Sequence, residues 1–547
     1  MTSILPTRRL IPRWRSTQQT LRRFEAASTS DLPSSNPVRD SESELANATH
    51  VWRTTHSPGV LGDVLSFAMD PALAERAIAI GAEALRTGAP MTELQRQLVE
   101  TWGAEESIIP HVGVDSTSTG LRPFQAPIRR LRALLRFAPD NPLVLLDFAQ
   151  LQAAVGKSAA AERALLTAID LAPSNRLVLR TMARFLVHAN RADEAHQLLR
   201  RHRRTSVDPW LMASEVALAD AAGRTGEFLS KGRRLLQDKG AFRPEHLTEL
   251  AGVVAMEELR GGNLKRAREA QRRALLAPND NVIAQAVELE AAFGIALNTQ
   301  PATTALNHAA EARLLQAWIS ANPDEVEKHA LSWHAEEPFS SRPVQLLTAL
   351  YAYRGQLVQA IDWGKAGLVT DPTDRGLLIN LSFAYAKAGD QKAAAYSIRR
   401  LRQHHQSTAE PFALATEGLL EYHQGHFDAG DRLYNSAARL FNLAGQPQIE
   451  AYCRLNQALA AHDAQHPRFA ETLQAAEALL RKHPSQDSLM LLRTHSASVL
   501  HLPDQQPIGR RNLNQWVFDA LSNTLTEKPG ITSVGASPIV IADQRER

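Results

Sequence analysis

Between residues 139 and 208, and again between 341 and 440, apolar residues come in helix-length runs broken at fixed intervals by glycine and then proline. In LVLLDFAQLQAAVGKSAAAERALLTAIDLAPSN (143–175), Gly156 precedes Ala161 by five residues and Pro173 by seventeen. In PVQLLTALYAYRGQLVQAIDWGKAGLVTDPTD (343–374), Gly355 precedes Ala360 and Pro372 by the same five and seventeen. Gly389 and Ala394 follow Gly355 and Ala360 by 34 residues; Pro139 to Pro173 and Pro338 to Pro372 are also 34 apart. A fixed period of this size is the mark of a repeat architecture. The pattern predicts one helical hairpin per period. The glycine ends the first helix in a left-handed conformation, the small alanines let helices approach closely, and the proline stops the second helix. A lone hairpin would leave one apolar face wet, so the units must stack.

Composition supports helices over sheets. Apolar residues are 44% of the 547 and aromatics only 6%, a balance suited to Ala- and Leu-rich helix packing. Lys plus Arg (61) nearly cancel Asp plus Glu (58), so no global field drives binding to nucleic acid or membranes. No apolar run approaches 18 residues, and no membrane span is expected. One cysteine, Cys453, excludes an internal disulfide and a cysteine-built zinc site; it points to a reducing, cytoplasmic setting. Residues 1–24 carry Arg8, Arg9, Arg13, Arg15, Arg22 and Arg23 and no acid. That composition suits a flexible basic arm, with an organellar targeting segment the weaker reading because Pro6 and Pro12 interrupt any long helix.

The chemical motifs dissolve on inspection. Gly156-Lys157-Ser158 lacks the glycine a phosphate loop needs five residues earlier, where Leu151 stands, and it follows a helix. His423 with His426, and His404 with His405, lack a third ligand at metal-binding spacing. Cys453 lies in a helical run as a small buried residue. No catalytic residue, cofactor or metal is expected. The basic runs 200–204 and 399–405, and Arg260, Lys265, Arg266, Arg268, Arg272 and Arg273, read as solvated helix ends before a repeat boundary.

The repeat resembles the tetratricopeptide repeat family. The match is good at Gly156/Ala161/Ala168/Pro173, at Gly355/Ala360/Pro372 and at Leu378/Leu381/Tyr385/Gly389/Ala394. It is partial at Ala195, at Gly262/Ala267/Ala274 and at Gly418/Gly425/Tyr434/Ala437. Asn190 stands for a turn glycine, Phe228 and Gly430 for the first packing alanine, and the family's tryptophan is absent. The resemblance implies an all-α fold: a right-handed α-α superhelix of helical hairpins, roughly eight to eleven units, with a disordered N-terminal arm and a C-terminal tail.

The expected organisation is a disordered basic arm (1–58), a helical N-terminal segment (59–122), a first sub-stack (123–296), an irregular joint (297–340), a second sub-stack (341–505) and a C-terminal helix and tail (506–547). The family lines its concave groove with the first helix of each unit. Read in register, this gives Arg180, Arg184 and His188 in the first block, and Arg342, Gln345, Tyr353, Phe383, Lys387, Phe412, Tyr422 and His423 in the second. Mixed aromatics and cations suit a peptide's apolar anchors and carboxylates. The expected function is a non-catalytic scaffold, adaptor or regulatory subunit that holds a protein or peptide partner, with binding centred on the second block. A nucleic-acid-associated scaffold using the arginine-rich helix ends, and an effector function in 1–120, are the alternatives. The sequence is silent on oligomeric state.

Overall fold

A computed structural model describes residues 9–16, 41–67, 73–92, 95–96, 99–100, 122–238, 242–293, 309–320 and 322–483, with isolated positions in 297–306 and 485–494. Residues 101–121 of the expected N-terminal segment and the expected C-terminal helix and tail lie outside the described residues, as do most of residues 1–40.

Among the described residues there is no strand. Three N-terminal helices, α1 (Ser41–Thr55), α2 (Pro58–Ser66) and α3 (Ala74–Thr87), pack around Leu45, Trp52, Leu61, Leu65 and Ile80. The superhelix then runs through α4 (Arg122–Phe137), α5 (Pro142–Ala154), α6 (Ser158–Leu171), α7 (Arg176–His188), α8 (Ala192–Arg201), α9 (Pro209–Ala221), α10 (Leu229–Gln237), α11 (Pro244–Arg260), α12 (Leu264–Ala274) and α13 (Asp280–Phe293). It continues with α14 (Ala310–Ile319), α15 (Pro323–Glu336), α16 (Ser341–Tyr353), α17 (Leu357–Thr370), α18 (Arg375–Lys387), α19 (Gln391–His423), α20 (Phe427–Leu443), α21 (Pro447–Asp463) and α22 (Phe469–Lys482). Contacts run mainly between successive helices, as a stack of hairpins requires. The architecture is an all-α superhelix of stacked helical hairpins.

The repeat chemistry is visible in the backbone. Gly156, Gly355 and Gly389 have φ of 73°, 74° and 75°, and Asn190, standing for a glycine, has φ of 58°. First helices α5, α7, α9 and α18 begin at Asn141, Asn175, Asp208 and Asp374, whose side chains accept from the backbone N–H groups of the first turn. This cap accompanies the proline-marked boundary and fixes where each unit starts.

Two expectations change. The basic run at 399–405 does not close a unit, because α19 continues unbroken from Gln391 to His423 and carries Pro411 inside it. One long helix serves as the second helix of one hairpin and the first of the next. The arm expected to be disordered over 1–58 contains α1 and a buried stretch, residues 9–16. Leu10 and Trp14, spaced four apart among the arginines, are each 1% exposed and give that stretch an apolar anchor.

After one superhelical turn the stack meets itself. α17 touches α5, and a Cβ at Gly156 would collide with the carbonyl of Val369. The helices α5 to α17 therefore enclose a lumen.

Candidate functional site

The lumen is occupied. Residues 9–16 run through it without regular secondary structure and touch one hairpin after another. Trp14 packs against Phe185 of α7, with ring centroids 6.1 Å apart and nearly perpendicular, and against Phe339 at 4.6 Å. Leu10 enters the cluster of Met212, Ala213, Val216, Val253 and Val254. A Cβ at Gly252 of α11 would meet the Leu10 side chain at 2.6 Å, so the missing side chain there makes room for the arm. The ring also grips the arm's backbone: Gln150 donates to the Trp14 carbonyl at 2.8 Å and Asn281 to the Ile11 carbonyl at 3.1 Å.

Electrostatics match the arm's three arginines. Arg9 pairs with Asp220 at 2.6 Å, an acid it shares with Arg260. Arg13 pairs with Glu311 and lies 3.3 Å from Asp280 and 3.4 Å from Glu337. Arg15 reaches Asp280 at 2.6 Å and Glu336 at 3.4 Å. Burial alone would lower the pKa of Arg13 and Arg15, but the surrounding carboxylates outweigh it and both are raised. A buried charge is tolerable only when paired in this way. Glu311 and Glu337, each 1% exposed, both meet Arg13 of the arm; Glu311 also pairs with Arg342, and Glu337 accepts from the Trp333 indole N–H.

Beside the arm a cavity of about 490 Å³ remains, lined by Arg9, Arg13, Arg184, His188, Arg342 and Arg375 among others. Arg184 lies over Phe339 at 4.9 Å and Arg342 over Trp333 at 5.6 Å. Burial depresses the Arg184 pKa, the nearby Glu337 opposing and Arg13 and Arg342 reinforcing the shift. Burial, with help from Arg184, holds the His188 pKa down to about 3 and keeps its imidazole neutral.

The structure therefore brings Arg184, His188 and Arg342 together at the lumen. Arg180 is buried nearby, donating to Glu249 at 2.7 Å and to the Trp210 carbonyl, with its plane over Trp210 at 4.9 Å. Gln345 is buried and donates to Asp374. The other second-block candidates lie elsewhere. Tyr353 is buried and hydroxyl-bonded to Tyr452, Tyr422 donates to Asp431 at 2.5 Å, and Phe412 meets Phe441 edge to face at 4.9 Å. Phe383 carries Lys387 over its ring at 5.8 Å, and the His423 pKa is lowered by burial. Tyr353, Phe383 and Phe412 border a mostly apolar gap of only about 60 Å³.

Reading the arm as a flexible extension missed Asp280, Glu311, Glu336, Glu337 and Phe339 as lumen residues. The signal was the spacing of Leu10 and Trp14 in a basic segment, set against acids at the starts of α13 and α14 and at the end of α15. Cys453 is buried, its thiol pushed up to about 12 by burial. Among the described residues no group of His, Cys, Asp and Glu is placed to hold a metal, and no helix is long and apolar enough to cross a membrane. Several arginines of the basic runs are paired: Arg204 with Asp208 at 3.4 Å, Arg260 with Glu257 at 2.6 Å, and Arg402, within α19, with Glu417 at 2.6 Å.

Fold and lumen together define a helical-repeat solenoid closed around an extended segment. No family model matches the chain, and no curated protein matches it. Among solved structures it is similar to a chain in the structure of Naa15/Naa10 bound to HypK-THB, at 12% identity over 92% of this chain and 88% of that one, with a TM-score of 0.21. A likeness at that TM-score carries no argument about this chain's partners.

Proposed function

We propose that this chain is a non-catalytic, protein-binding scaffold of the cell interior whose lumen holds an extended segment carrying an aromatic side chain between two arginines. The supporting observation is the seat of residues 9–16, where one tryptophan, two flanking arginines and two backbone carbonyls each have a dedicated partner. Such a seat combines a buried aromatic anchor with charge-assisted bonds, the features that concentrate binding energy. The chain's own arm is then the resident ligand, and a partner segment of the same chemistry enters by exchange with it. The side-chain amide of Gln285, next to the Leu10 seat, is buried without a hydrogen-bond partner among the described residues. It offers bonding capacity that the arm leaves unused.

The test is binding in trans. A fluorescent peptide of residues 9–16 is titrated against the full chain and against its Trp14→Ala variant. Weakening the resident arm should tighten peptide binding about tenfold or more, because competition for the seat falls by over 1.4 kcal/mol. A peptide with alanine in place of tryptophan should bind neither protein. Absence of binding to both proteins would refute the exchange reading.

A further inference from the structure

Among the described residues, the Arg184 guanidinium in the lumen forms no ion pair. Arg184 lines the 490 Å³ cavity with the ring of Phe339 beneath it. Among the described residues it has no ion pair and no hydrogen bond, in contrast to Arg13, Arg15 and Arg180 around it. A desolvated guanidinium left this way is costly, and stacking on a ring fixes its plane while leaving its edge donors unused. Across the same cavity stand Arg342 and the start of α16, where the N-cap Ser340 makes no side-chain cap. Arg375, at the start of α18, lines it too. The lining has five arginines (Arg9, Arg13, Arg184, Arg342, Arg375) against three carboxylates (Glu337, Asp371, Asp374). Arg9 and Arg13 are already matched by Asp220 and the Glu311 cluster. Arg342 is held by Glu311 and Arg375 donates to the Thr408 carbonyl, so the guanidinium left without an ion pair among the described residues is that of Arg184.

We infer that this cavity is a carboxylate-binding site, centred on Arg184 and flanked by Arg342 and the uncapped start of α16, that takes an acidic segment of a partner protein alongside the seated arm. The volume is too large for a single carboxylate and falls in the range of sites that enclose several connected groups. A guanidinium edge accepts a carboxylate through two parallel bonds. The wall carboxylates Glu337, Asp371 and Asp374 disfavour a compact dianion such as phosphate more than single carboxylates spaced along an extended segment, which can each meet a cation and keep clear of the acids. The inference rests on the arm being seated, as in the proposed function, since Arg9, Ile11, Pro12 and Arg13 form one wall. The partner thus meets a composite surface, ring on one side and arm on the other.

The probe is a fluorescent, acetylated and amidated peptide Glu-Glu-Leu-Glu-Glu, titrated into the full chain and its Arg184→Met and Arg266→Gln variants. The expected result is saturable binding, weakened at least tenfold by Arg184→Met and unchanged by Arg266→Gln, an exposed arginine of α12. Arg184→Met should also raise the thermal midpoint, because it removes a buried charge that has no partner until ligand arrives. Equal binding by all three proteins, equal loss in both variants, or no binding to the native chain would overturn the site. Tighter binding of succinate or of a phosphoserine peptide than of the acidic probe would overturn the ligand class. Hydrogen exchange at residues 10–16 is followed in the same samples. A protected arm without acidic binding defeats this inference alone, whereas an unprotected arm defeats the exchange reading beneath it.

Discussion

The lumen enclosed by α5 to α17 and the second block from α18 to α22 use the same hairpins to opposite ends. In the second block, side chains of the stack itself fill the concave side. Tyr422 and Tyr434 lie 5.5 Å apart, Phe412 meets Phe441, and Tyr452 bonds Tyr353 at the end of the neighbouring α16. The gap left is about 60 Å³. In the lumen, the inward positions carry Asp280, Glu311, Glu337 and Arg184, and a separate segment of chain with a 490 Å³ cavity beside it occupies the space. Aromatics at inward positions therefore mark closure of a groove in this chain. Buried acids and an arginine without an ion pair among the described residues mark the lumen, where ligand binding is proposed.

The comparison breaks most sharply at Glu311, which touches both Arg13 and Arg342. Glu311→Ala leaves Arg13 buried with only Asp280 and Glu337, and loss of one partner from a buried pair costs about 3 kcal/mol or more. The expected outcome is release of the arm without unfolding of the ring. Hydrogen exchange at residues 10–16 should quicken about a hundredfold, a factor that follows from that energy, while protection in α19 to α21 stays as it was. Unchanged exchange at the arm would mean that the Trp14 and Leu10 seats alone retain it.

Much of this was legible in the residues. The offsets from Gly156, Gly355 and Gly389 gave the hairpins, because a left-handed turn and a tight helix approach each demand a specific residue type. Arg184, His188 and Arg342 were readable as inward positions from the same register. What the register does not encode is which inward faces meet each other around a superhelical turn. Closure of α17 on α5 depends on small rotations summed over many units, so the juxtaposition of Glu311 and Asp280 with Arg13 has no local signature. The tyrosines of the second block looked like ligand contacts because an inward aromatic has the same composition whether it meets a peptide or its own neighbour. The continuity of α19 was hidden for a related reason: the repeat boundary after 405 lacks a breaker at the expected position, and Pro411 falls six residues later.

Acid should sharpen the contrast between the regions. His188 faces the lumen beside Arg184 and Phe339, and its folded-state pKa is held down to about 3 by burial. A base depressed on folding contributes no penalty above its unfolded value near 6.5 and destabilises the folded state as pH falls below that value. Between pH 6.5 and 5 the loss is about 2 kcal/mol, from 1.36 kcal/mol per pH unit. His334, held down to about 4 by burial, adds to it in the same direction. The opposing group is Asp374, raised to about 6 by burial and by Asp371; it favours the folded state as pH falls through that value. Urea melts at pH 7 and pH 5 should show the ring losing stability in acid. His188→Gln should remove most of the difference. An identical loss in that variant would place the sensitivity outside the lumen.

The smallest effect is the one that isolates the second block. Gly418 of α19 and Gly430 of α20 face each other where the helices cross, and a Cβ at Gly430 would enter the ring of Tyr422. Gly430→Ala therefore forces Tyr422 off its bond to Asp431 or pushes the helices apart, an overpacking cost of about 1–3 kcal/mol. Part of it is offset by alanine's better helix propensity, about 1 kcal/mol. The chain should melt slightly earlier in α19 to α21, seen as faster exchange there. Binding of the arm peptide and of the acidic probe should be untouched, since neither Tyr422 nor Gly430 borders the lumen cavity. If the same substitution loosened the arm, the two regions would be mechanically coupled through α18 and α19. The second block would then act as a lever on the lumen, and closure of its groove would serve to transmit strain as well as to fill space.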